Sequence, residues 1–105
     1  MPTQQQIDRF TLAFHQEAVR RLHADPQLVR DALAVLDRWE AQGASPAGQV
    51  YRDLWRRLLQ GDLDALAARV CVTTDEAATL RSMSPLGFVL DEARRQQLRC
   101  ETMAA

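Results

Sequence analysis

The chain has 105 residues, 47% of them hydrophobic and 26% charged, with a formal net charge of −1 at pH 7. That length closes one core without metal or disulfide staples, and that charge gives no overall drive toward DNA or an anionic membrane. All 13 basic residues are arginine, so arginine abundance by itself carries no message about phosphate binding. The opening residues hold no basic segment leading into an apolar run, and no stretch approaches the roughly 20 apolar residues of a bilayer span. Cys71 and Cys100 are far apart and form no Cys-x-x-Cys pair, which fits reduced thiols in a cytoplasmic protein.

In chain order, Ile7, Phe10, Phe14, Ala18 and Leu22 recur at helical spacing and predict a first helix with one apolar face. His15 and His23 lie eight residues apart on it, about 12 Å along the axis, too far to share a metal, and both are expected at the surface. Asp25-Pro26 ends that helix and caps a second, whose face is Val29, Ala32 or Leu33, Leu36 and Trp39, and which stops at Gly43. Ser45-Pro46 repeats the start signal. The third helix carries Val50, Leu54 and Leu58 in register with Tyr51, Trp55 and Leu59 beside them, and Gly61 ends it. Trp39 belongs to the core on this register, while Trp55 is open to either a core or an interface role.

Asp62 caps a short fourth helix with Leu63, Leu66, Ala67 and Val70. Cys71-Val72-Thr73 then reads as a three-residue turn, and Thr73 with Glu76 as a capping box opening the fifth helix. Residues 63–83 thus outline a helix-turn-helix corner. Ser84 to Leu90 breaks the periodicity as an apolar loop, Asp91 caps a last helix from Glu92 to about Cys100, and the final residues are expected to fray. No segment alternates as a half-buried strand does. The prediction is all-α, a single compact bundle of five or six helices over residues 1–105.

The corner is the segment closest to a functional motif. As a DNA reader it would use Thr74, Thr79 and Arg81, yet residues 73–83 hold Asp75 and Glu76 against the single Arg81. Phosphate contacts supply much of the affinity for DNA, so an acidic recognition helix works against binding. Acids in a first turn also have a structural use, since they favour the helix dipole. Asp53–Arg57 and Asp91–Arg95 have the order that favours ion pairs within a helix. No Ser–His–Asp or Cys–His arrangement, metal-ligand spacing or phosphate-cradling glycine loop is present, so no enzyme, no cofactor and no metal is expected. The apolar loop must either cover the bundle or bind something.

Several segments together give the chain a family resemblance. These are Trp39 before the Gly43/Pro46 break; Tyr51, Trp55 and Leu58-Leu59; Gly61-x-Leu63-x-x-Leu66; Glu76-Ala77-x-x-Leu80-Arg81; and Ser84-Pro85-Leu86-Gly87 before a basic helix. Over roughly residues 7–99 the chain resembles short bacterial all-helical proteins that look like the small, antitoxin-like partner in two-gene toxin–antitoxin modules. The resemblance implies a non-enzymatic protein that binds a toxin-like enzyme encoded next door and occludes its active site. The partner-binding residues expected on that reading are Ser84 and Pro85, setting the loop geometry, with Phe88, Val89, Arg94, Arg95 and Arg99. A helix-turn-helix transcriptional regulator is the alternative, an effector or secretion chaperone the weaker one. The reading leaves homo-oligomer formation open.

Overall fold

The computed structural model of the chain describes residues 1–103 and is an all-α bundle of six helices: α1 (Gln4–Ala24), α2 (Pro26–Ala41), α3 (Gln49–Gln60), α4 (Leu63–Val70), α5 (Asp75–Ser82) and α6 (Glu92–Met103). A single 3-10 turn, Pro46–Gly48, leads into α3. Of the final residues expected to fray, 101–103 are helical and 104–105 lie outside the described residues. Up to Met103 the chain is helical, three residues beyond the expected end.

Local chemistry sets most of the boundaries. Thr3 and Gln6 form a reciprocal capping box at the start of α1. Asp25 accepts from the Gln27 N–H, with Pro26 at the first helical position of α2. At the end of α2, Gly43 adopts φ +82°, its N–H donates to Glu40 O, and the Ala44 N–H donates to Trp39 O. That is a Schellman closure, and the left-handed conformation is why glycine stands there. Asp62 caps α4 through the Asp64 N–H, and Asp91 caps α6 through the Arg94 N–H at 2.8 Å.

Helix α1 is the spine: α2, α4, α5 and α6 all pack on it, while α3 bridges α2 and α4. Two stripes on α1 explain this. Ala18 and Leu22, with Val19 beside them, enter the main core with Leu36, Trp55, Leu59, Leu66, Val70 and Leu80. A second stripe, Phe10, Phe14, Glu17 and Arg21, follows the same 3–4 spacing and receives α6 and the loop before it.

Trp55 is fully buried, and its indole N–H donates to Leu80 O at 2.9 Å, so it is a core residue rather than an interface anchor. Val50, expected in register with the core, is 69% exposed, because the face of α3 that turns inward is Tyr51–Trp55–Leu59. Ile7, at the outer end of α1, is left exposed. The cap of α5 also shifts by one residue. Thr74, not Thr73, accepts from the Ala77 N–H, so the turn of the corner runs over four residues, 71–74. Glu76 is thereby freed from capping and pairs with Arg69 across the turn. The expected pairs inside helices do not form. Asp53 accepts from Gln49 instead, and Asp91 is occupied at the cap. Arg56, a neighbour of Arg57, instead joins α3 to Asp37 and Glu40 of α2.

Candidate functional site

The loop from Ser84 to Leu90 is a fixed structure. The Leu86 N–H donates to Ser84 Oγ, the Val89 N–H donates to Leu86 O, and Pro85, Leu86, Val89 and Leu90 are buried. Arg95 of α6 donates to Gly87 O and Leu90 O, and Arg21 of α1 donates to Val89 O. Every large apolar side chain of this segment therefore covers the bundle except one. Phe88 is 43% exposed.

Beyond the loop, α6 runs antiparallel to α1 along the second stripe. The Arg94 guanidinium grips the Glu17 carboxylate through Nε and Nη2, at 2.7–3.0 Å, and Arg21 adds a bond at 3.1 Å. Hydrogen bonding from Arg94 holds the Glu17 carboxyl below the usual carboxylate range. One turn on, Arg95 lies over the Phe14 ring at 5.3 Å, and further along Arg99 lies over Phe10 at 5.2 Å. Those two guanidiniums each cover an aromatic ring with one face and keep charge at the rim of the seam.

Of the residues expected to bind a partner, Phe88 is exposed next to Gly87, whose carbonyl holds Arg95, and Arg99 lies one turn further along α6, 3.4 Å from Glu92. Val89 and Pro85 are buried and cannot anchor a partner. The periodicity of a loop gives no register from which to tell which apolar residue turns out. Arg94 is committed to Glu17. Ser84 shapes the loop, as expected.

The corner between α4 and α5 has a different character. Arg81 is 5% exposed; Nη1 donates to Val70 O and Val72 O at 2.7 Å each, and Nε to Thr11 Oγ1 at 3.4 Å. It closes the C-terminal carbonyls of α4, the end where a cation favours the helix dipole. Burial pulls its pKa below the ordinary arginine value, and nearby Asp8 opposes that shift. Thr74 is the cap, and the Thr79 hydroxyl donates to Asp75 O within its own helix. The three residues expected to face DNA are therefore spent on the fold, and the exposed first turn of α5 is acidic.

His15 departs from its expected surface position. It is 4% exposed, packed between the Phe14 and Trp55 rings, with Nδ1 2.7 Å from Thr11 O and no partner for Nε2 among the described residues. Burial lowers its pKa to about 4. His23 stays exposed, 3.5 Å from Asp64 of α4. Among the described residues, no three His, Cys, Asp or Glu side chains converge to hold a metal, and no helix is long and apolar enough to cross a membrane. Glu17 was missed as a site residue, although the spacing Phe10–Phe14–Glu17–Arg21 was the signal that could have found it.

No protein-family model, curated protein or solved structure matches the chain.

Proposed function

We propose that the chain is a protein-binding module whose docking edge runs from Phe88 along Arg95 and Arg99 of the α1–α6 seam. The observation that carries this reading is the rigid presentation of Phe88. A large aromatic side chain is left out of the core by a loop whose every neighbour is anchored. Aromatic anchors held in place before contact lose little conformational entropy on binding, and such residues concentrate the energy of interfaces. The arginines beside it specify the complement, an apolar pocket rimmed by carboxylates on the partner.

Together with the resemblance to antitoxin-like proteins, this favours a neutralising partner that covers the active site of an enzyme encoded by the adjacent gene. No chemical step is asked of this chain. Its two cysteines remain thiols, in keeping with work in the cytoplasm. The DNA reading draws no support from the corner, where Thr74, Thr79 and Arg81 are all engaged by the protein itself.

The test is co-expression with the adjacent gene product and titration of the purified pair. A stoichiometric complex is expected, weakened by about a hundredfold or more in Phe88→Asp and further by added salt. Absence of a complex with the wild-type chain at micromolar concentrations overturns the proposal, as does a complex indifferent to Phe88→Asp.

A further inference from the structure

Away from the docking edge, the outer half of α1 and the face of α5 do not close on one another. They leave a cavity of about 510 Å³, within the roughly 300–1,000 Å³ of small-molecule sites. A second hollow of about 350 Å³ adjoins it, and the two share Asp8, Asp75 and Ala78 as their common wall. The reason lies in sequence. Helix α5 turns Ala78, Thr79 and Ser82 toward α1, side chains too small to fill the space between the two backbones.

The larger cavity has two poles. One is basic: Arg9 forms no ion pair among the described residues, and Arg81 reaches it from the core. Arg81 is 95% buried on the 5% exposure given above, and its Nε and Nη1 are committed to Thr11, Val70 and Val72. Its Nη2 donates to nothing among the described residues. That nitrogen is not sealed in the core, and Arg81 lines the cavity, so an acceptor entering there can reach it. Thr73, whose hydroxyl has no partner among the described residues, lines the same pole. The other pole is the shared wall. Asp8 accepts only from Gln4 there, and neither Asp8 nor Asp75 meets a cation in an ion pair among the described residues. Leu12 and Ala78 provide the apolar floor.

We propose that this cleft binds a small zwitterion of the amino-acid or short-peptide class, its carboxylate on Arg81 and Arg9 and its ammonium between Asp8 and Asp75. The two poles have opposite charge, which a simple anion or a simple cation satisfies only at one end. The carbon skeleton rests on Leu12 and Ala78. The site is independent of the docking edge, so its failure leaves that reading untouched.

The experiment is a titration of the isolated full chain with the twenty L-amino acids and L-alanyl-L-alanine, followed by calorimetry and by backbone amide shifts. At least one probe is expected to saturate with a Kd below about 1 mM, moving the amides of Asp8, Ala78 and Arg81. Its N-acetyl and carboxamide analogues, each lacking one charge, are expected to bind at least about tenfold more weakly. Asp75→Asn and Arg9→Gln, both at exposed positions, are expected to weaken binding similarly while the amide spectrum of the fold is kept. Arg81 is left intact because the corner depends on it. No saturable shift by any probe at 10-fold above about 1 mM overturns the proposal. Equal binding of acetate or methylammonium alone overturns it too, since that marks an adventitious ion only.

Discussion

Arg81 and Arg95 stand at two edges of the same spine helix and do opposite things. At the α4–α5 corner the guanidinium of Arg81 goes inward, where backbone carbonyls of Val70 and Val72 take its hydrogen bonds. At the α1–α6 seam Arg95 lies flat on Phe14 and Arg99 on Phe10, and both keep charge at the surface. The corner has the outline of a DNA-reading motif and uses its polar side chains as internal fasteners. The seam has no motif at all, leaves an aromatic ring exposed, and lays two guanidiniums over Phe14 and Phe10, where Arg95 also holds Gly87 O and Leu90 O and Arg99 meets Glu92. The difference teaches that a motif's outline says little about function until each side chain has been traced to its hydrogen-bond partner.

The largest expected effect tests the inward-facing arginine. Arg81→Ala leaves the carbonyls of Val70 and Val72 without their donor and is expected to cost about 3 kcal/mol of stability. Chemical denaturation measures it, and a loss below about 1 kcal/mol would break the contrast between corner and seam.

Acid comes next, because His15 abuts the same network through Thr11. Its folded pKa of about 4 lies below the ordinary 6.5, so the unfolded chain binds more protons between those values. Stability therefore falls as pH drops from 6.5 toward 4, by about 2 kcal/mol between pH 7.5 and pH 5. Glu17, with its carboxyl held low, acts in a different window: its contribution is lost only below the usual carboxylate range. Repeating the pH series on His15→Gln should flatten the slope above pH 5, and an unchanged slope would show that His15 is not its source.

A smaller effect locates the cap. Thr74→Ala is expected to cost about 1 kcal/mol and Thr73→Ala under about 0.5 kcal/mol, a difference that thermal melts resolve. The reverse order would return the capping box to Thr73 and Glu76.

The smallest effect belongs to the seam. Phe88→Ala should change stability by no more than about 0.5 kcal/mol, since the ring is half out of the core. A substantially larger loss would make Phe88 part of the lid and remove the distinction drawn between it and its buried neighbours.

Much of the architecture was legible in the residues. Asp25-Pro26, Gly43, Asp62 and Asp91 each act through hydrogen bonds a few residues away, so local sequence carries the whole cause. The site was legible only in part. Phe88 was expected to face a partner and is exposed, while Arg95 is held by Gly87 O and Leu90 O and Arg99 lies against Glu92. Val89 and Pro85 were expected to face the partner too, but their direction depends on how α6 and Arg21 hold the loop from outside it. His15 and Trp55 were misjudged or left open for the same reason: burial on a helix face depends on which neighbours arrive.

By itself the sequence determined an all-α bundle, most of its helix ends and one apolar face of α1, because capping and 3.6-residue periodicity operate within one or two turns. Only the tertiary structure decided which arginine is buried, which aromatic ring is shown, and where α1 and α5 leave a cleft. Those outcomes hinge on contacts between Thr11 and Arg81 and between Glu17 and Arg94, residues about 70 to 77 positions apart in the chain, which no local pattern encodes.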